Sequence, residues 1–250
     1  MSQIKNIEIF FLEYPFPKHF NYKYSGGVVE NMIVPIIRIT DTDGEYGLGE
    51  VTHGQFTHQP LIGLVKHFKD ILVGSETNNI NQAWETMYGS SLFWNRQGIG
   101  IGVMGGINIA MYDLLGKKLK VPVYQLLGGA CRSAVPCYAH AGGSDIESLI
   151  DDINRYIDEG YEVIRCQFGG YGGGGFRSQE EISMPKTSWG NKHYFDDEAY
   201  LENIPNMFDT LRKRLGFGPK LTHDVHEHLR PHNAVTLSKR LEEHRLFFLE

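Results

Sequence analysis

The chain opens with segments whose apolar residues recur at every second position. IKNIEIFFLEY (4–14) begins in that alternation and MIVPIIRIT (32–40) is rich in β-branched residues, so both predict strands. TDTDGEYGLGE follows, and its Asp43–Gly44 pair supplies a hairpin turn. After it the period changes. Leu61, Leu64, Val65, Phe68 and Leu72 share one face of a helix, and so do Ile80, Trp84, Met87 and Tyr88. A third helix is predicted from about Met104 to Leu119, stopping before Pro122. Strands followed by a helical cluster predict an α+β domain over residues 1–130.

From 131 onward a different unit repeats. AVPCYAH reads as a short strand, and SDIESLIDDINRYIDEG as a helix with Ser144 as its cap and Gly160 past its end. YEVIRCQ is a strand, followed by a Gly-rich loop and the helical stretch DDEAYLENIPNMFDTLRKRLG. PKLTHDVH is a strand, PHNAVTLSKRLEEH a helix with Pro231 in its first turn, and RLFFLE a fourth strand. Strands alternating with helices predict βαβ units and a parallel sheet over residues 131–250. The connection from Gly169 to about Asp197 is too long for an ordinary crossover loop, and an insertion of that size is usually functional or mobile. A parallel strand needs neighbours and a covering helix, yet nothing follows Leu246–Glu250. The chain is therefore expected to be the N-terminal portion of something longer; an open four-stranded sheet is the alternative.

Composition narrows the class. A hydrophobic content of 41% with 29 glycines, and 22% charged residues, excludes a disordered chain. The 24 basic and 30 acidic side chains give a net charge of −6, without the basic excess that nucleic-acid phosphates or anionic lipid require. Cys131, Cys137 and Cys166 cannot pair completely, so a reducing cytoplasm is expected. The stretch Gln97–Tyr112, 16 residues without charge but with five glycines, reads as too short and too polar to span a membrane. A soluble protein without membrane or nucleic-acid partners is the expectation.

Ligands of parallel α/β folds meet the carboxyl ends of the strands. Those ends are His140, then Arg165 with Gln167, then Asp224 with His226, then Glu250. Residues two apart share a face, so acid, base and cation would converge at one rim. Asp224 and Glu250 could place two carboxylates around a hard divalent cation, and magnesium suits oxygen ligands. Zinc is the competitor, because THDVHEH holds His223, His226 and His228; on a strand, however, His223 points away from the other two. The loop GGYGGGG (169–175) matches neither phosphate-binding glycine pattern and reads better as a lid over the site. Its Tyr171 is a candidate proton-transfer group whose phenolate a nearby Arg165 would favour. The glycines of GIGIGVMGG (98–106) read as allowing close packing.

VPVYQLLGG, the YAHAGG strand, VIRCQ, THDVHEHLRPHNA and RLFFLE together resemble the mandelate racemase branch of the enolase superfamily, above all its mannonate dehydratase group. The resemblance covers essentially the whole chain, and Asp224-x-His226 followed by Glu250 is its most specific part. It implies an α+β capping domain followed by a (β/α)8 TIM-type barrel, of which about the first four strands are present here. It implies Mg²⁺ held by Asp224, Glu250 and a third carboxylate one unit further on. His226 would donate a proton to a departing 3-hydroxyl, Arg165 would assist a tyrosine base, and His140 would contact a substrate hydroxyl. The implied activity is a sugar-acid dehydratase in a homo-oligomer. A hydroxy-acid racemase or epimerase, or a non-catalytic sugar-acid-binding relative, are the alternatives. Three features depart from the family pattern. Arg165-x-Gln167 stands where racemases and cycloisomerases carry Lys-x-Lys, GGYGGGGF replaces the base loop, and LGEVTHGQFTH offers Gln55 or His53 where an asparagine is expected.

Overall fold

In the computed structural model, which describes residues 2–15, 22–24, 27–29, 31–52, 57–168, 196–226 and 228–250, the alternating segments become strands β1 (Ile4–Pro15) and β4 (Asn31–Asp41). They pair antiparallel along their length, and β4 turns through Asp41–Gly44 into β5 (Tyr46–Glu50). The turn is held by the Asp41 carboxylate, whose Oδ1 accepts from the backbone N–H groups of Asp43 (3.0 Å) and Glu45 (2.9 Å). A short hairpin, β2 (Tyr22–Tyr24) with β3 (Gly27–Val29), lies between β1 and β4 in sequence. The chain divides into two compact units, residues 1–20 with 30–133, and residues 134–250 grouped with 21–29.

In the first unit, helices α1 (His58–Leu72) and α3 (Ile99–Leu119) cover one face of the β1-β4-β5 sheet, and α2 (Ile80–Ser91) packs on these two helices. A one-turn helix, α4 (Val123–Leu126), follows. Leu61, Val65, Phe68 and Leu72 bury the predicted stripe of α1 against Ile7, Ile37 and Ile39 of the sheet. Helix α3 begins five residues before its predicted start and lies close against β5, where Gly47 and Gly49 leave room for its backbone. A methyl group on Gly49 would overlap Gly106 O and lie 2.7 Å from Ala110 N, and one on Gly47 would lie 2.6 Å from Leu114 N. Contrary to the reading of Gln97–Tyr112, α3 as a whole is long and apolar enough to cross a membrane by composition, but half of its most apolar stretch is buried inside the protein.

The second unit alternates β6 (Tyr138–Gly143), α5 (Ile146–Asp158), β7 (Val163–Phe168), α6 (Asp197–Leu215), β8 (Lys220–Thr222) and α7 (Pro231–Leu241). The strands are parallel in the order β6-β7-β8. Helix α5 is capped one residue later than expected: Asp145 accepts from Ser148 N at 2.8 Å and completes a capping box, while Ser144 only hydrogen-bonds Asp145. The segment 246–250, expected as a fourth strand, forms only an isolated parallel bridge between Leu249 and His223, yet it continues the sheet. Phe247 N donates to Leu221 O (2.7 Å), Glu250 N to His223 O (2.9 Å), and Val225 N to Glu250 O (2.8 Å). Ile164, Cys166, Leu221 and Val225 face the helices, with Leu149, Ile153, Met207, Phe208, Leu211 and Leu237 completing this core. The opposite face of each strand is left for chemistry.

Candidate active site

Period-two alternation puts Tyr138, His140, Arg165, Thr222, Asp224, Phe248 and Glu250 on the face away from the helices. The register sorts them into tiers. His140, Arg165 and Thr222 are level with one another, and Glu250 pairs with Asp224 one tier higher, because its N–H and C=O bond His223 and Val225 on either side. Neighbouring strands lie about 4.8 Å apart, so both carboxylates reach the same space above the strand ends. On β6 the partner of Gln167 is Gly142, so the first strand contributes His140 from one tier below. Reading only the strand ends misses Tyr138 and Phe248. Tyr138 lies two residues before His140 on the same face, a position that the alternation alone reveals. Its ring stacks on His140 at 5.2 Å and meets Phe248 edge-on at 5.7 Å, so the first and fourth segments touch across a curved sheet.

Asp224 is the hub. Only 4% exposed, it accepts from Arg165 Nη1 through Oδ2 at 2.7 Å and from the backbone N–H of His226 through Oδ1 at 2.6 Å. The His226 imidazole also approaches Oδ2, with Nδ1 at 3.2 Å, and stacks on His228 at 6.0 Å between ring centres. His226 holds φ at +55°, an unfavourable conformation for a residue with a side chain, and the Asp224 carboxylate is what fixes the turn. Glu250 accepts from the Tyr138 hydroxyl at 3.2 Å. Burial, and then the Glu250 charge, push the Tyr138 phenol above its ordinary value. Burial and then the Arg165 cation hold His140 below its own, against opposing pulls from Glu250 and Asp224. Arg165 and Asp224 form a buried ion pair at 2.7 Å.

His223 points away from the face, as the strand alternation predicts. Its Nδ1 lies 2.8 Å from Cys166 O and its Nε2 lies 2.7 Å from the Tyr200 hydroxyl. Burial pushes its imidazole down to about 4 and the Cys166 thiol up to about 12. Between pH 6.5 and 4 the unfolded chain therefore binds a proton that the folded chain refuses. Stability from this group is intact above pH 6.5 and is lost as pH falls toward 4, by on the order of 3 kcal/mol. Urea midpoints at pH 7 and pH 4.5 should show that loss, and His223→Asn should reduce the difference.

Glu250 is positioned from behind. Arg212 of α6, 7% exposed, donates to four backbone carbonyls: His244 (2.8 Å), Pro219 (3.0 Å), Gly216 (3.1 Å) and Arg245 (3.2 Å). It thereby fixes the turn that launches residues 246–250. Burial lowers its affinity for a proton, but a guanidinium stays charged at any pH of interest.

The donor chemistry of this face fits a hard divalent cation. Among the described residues two carboxylates face one guanidinium, leaving the face negative, and both acids present oxygen ligands. No group of three His, Cys, Asp or Glu side chains among the described residues stands close enough to hold a metal by itself. That also removes the zinc arrangement of His223, His226 and His228 from the described residues. Tyr171, Gln55, His53 and the loop 169–175 lie outside the described residues.

Residues 6–128 match the family model of the mandelate racemase / muconate lactonizing enzyme N-terminal domain. A D-galactonate dehydratase family member of Paenibacillus sp. (strain JDR-2) is 47% identical over 85% of this chain and 52% of its own. The chain belongs to the enolase superfamily, in its mandelate racemase branch. A D-mannonate dehydratase of Rhizorhabdus wittichii is 34% identical over 86% of this chain and 54% of its own. The chain spans about half the length of the curated relatives it matches. Among solved structures, an enolase from Pantoea ananatis crystallised with D-gluconate and magnesium superposes with a TM-score of 0.79. It is 30% identical, and the match covers 100% of this chain and 59% of that one. The 3,6-anhydro-D-galactonate cycloisomerase of Zobellia galactanivorans, at 21% identity and TM-score 0.69 over 99% of this chain and 58% of its own, shares the fold. For this enolase superfamily chain the first unit is thus the capping domain, and the second is the opening part of the barrel.

Proposed function

We propose that the inward face of β6–β8 and Glu250 serves a magnesium-dependent dehydratase of sugar acids of the hexonate class. The observation that carries this reading is the surplus of negative charge at that face, where, among the described residues, Asp224 and Glu250 stand against the single cation of Arg165. The sugar-acid names of the relatives and the gluconate and magnesium in the Pantoea ananatis structure support it. The galactonate-named relative is more similar than the mannonate-named one, so the mannonate assignment gives way to the broader aldonate class.

Asp224 and Glu250 would hold the ion. When bound, magnesium supplies positive charge where the substrate carboxylate gains electron density as C2 loses its proton. Tyr171, with its phenolate favoured by Arg165, takes that proton. His226 stands on its strained turn beside Asp224 and donates a proton to the 3-hydroxyl, which leaves as water as the C3–O bond breaks. The resulting enol takes a proton at C3 and becomes a 2-keto-3-deoxy acid. His140, Gln167 and Gln55 hold substrate hydroxyls.

Nuclear magnetic resonance of hexonates and pentonates in D2O with Mg²⁺ tests the reading. A dehydratase yields a 2-keto-3-deoxy acid carrying deuterium at C3. Exchange at C2 with no keto acid would make the protein a racemase or epimerase. No exchange and no product with any aldonate would leave a binding protein.

A further inference from the structure

The ladder between β7 and β8 ends at the pair Arg165–Thr222. Beyond it β8 hands its backbone to the segment that carries Glu250, through the bridge between His223 and Leu249 and the bonds on either side of Glu250. The next carbonyl of β7, Cys166 O, meets a side chain: the His223 ring at 2.8 Å. A carbonyl only accepts, so Nδ1 carries the proton and donates. Nε2 is then the acceptor, and the Tyr200 hydroxyl of α6 donates to it at 2.7 Å. Tyr200 and His223 are both buried, and the Phe208 ring meets the imidazole edge-on at 5.7 Å, so the ring has one orientation. Cys166 follows Arg165, and His223 precedes Asp224. The link on the helix side therefore ties the two strands at the level where Arg165 and Asp224 meet on the inward side.

We infer that Tyr200 and His223 are positioning residues, a hydrogen-bonded strut from α6 through β8 to β7 that sets the Asp224 carboxylate over the strand ends. This rests on the reading of Asp224 as a cation ligand. Neither side chain touches the reacting groups. Supporting partners of this kind commonly change metal affinity by about 10- to 100-fold when removed.

Manganese(II) alone, titrated by electron paramagnetic resonance, is the probe for wild type, His223→Leu, His223→Asn and Tyr200→Phe, with thermal melts alongside. Asparagine keeps an N–H donor near the place of Nδ1, and should bind within about threefold of wild type. Leucine fills the space without a donor and should lose at least about tenfold. Tyr200→Phe should fall between them. Wild-type affinity in a folded His223→Leu overturns the strut. So does an equal loss in the leucine and asparagine variants that follows their melting temperatures, which marks mere destabilisation. If the wild type binds no manganese, the cation reading fails. The strut is then decided by crystal structures of His223→Leu. An intact Arg165–Asp224 ion pair in that variant overturns the strut, and a broken ion pair supports it.

Discussion

Asp224→Asn is expected to abolish divalent-cation binding and to lower the proposed dehydration on the order of 1000-fold. The amide keeps the shape and can still accept from His226 N, so the turn survives while the charge goes. What remains is Arg165, 8% exposed, with a neutral group where its carboxylate stood. Removing one partner of a buried ion pair costs about 3 kcal/mol or more, so the same variant should also unfold at lower urea concentration. Titration calorimetry with Mg²⁺ and urea melts separate the two effects. A folded variant with unchanged metal affinity removes Asp224 from the site, and with it the proposed mechanism. The stability loss concerns the bridge alone and stands on the 2.7 Å ion pair whatever the chemistry.

The second large effect belongs to the capping domain. Gly49→Val should destabilise it by at least about 3 kcal/mol, because the obstruction is the backbone of α3 at Gly106 and Ala110 rather than a side chain that can turn aside. Thermal melts should show the first unit failing to form. Gly63→Ala is the control: that glycine lies within α1 with open space around it, and alanine there should be neutral or stabilising by up to about 1 kcal/mol. If both variants melt like the wild type, the packing of α3 on β5 is looser than described.

Much of this architecture is legible from periodicity. The stripe Leu61–Leu72 and the strand ends His140, Arg165, Asp224 and Glu250 depend on local spacing, and the fold uses them as spaced. What is illegible depends on partners distant in sequence. The glycines of 98–106 read as allowing close packing, but that the helix already begins at Ile99 and lies against Gly47 and Gly49, some 55 residues earlier, is not visible in any window of the chain. The ion pair of Arg165 with Asp224 joins residues 59 apart in sequence, a distance no local spacing spans. The roles of His223 and Arg212 are likewise set by backbone carbonyls on other elements, which no pattern of side chains announces.

The most direct test of the central claim is anomalous scattering from crystals of the protein soaked in manganese(II). One peak touching the carboxylates of both Asp224 and Glu250 is the predicted result. A peak elsewhere in the protein with that face empty, or a peak on the histidines of THDVHEH instead, would contradict it.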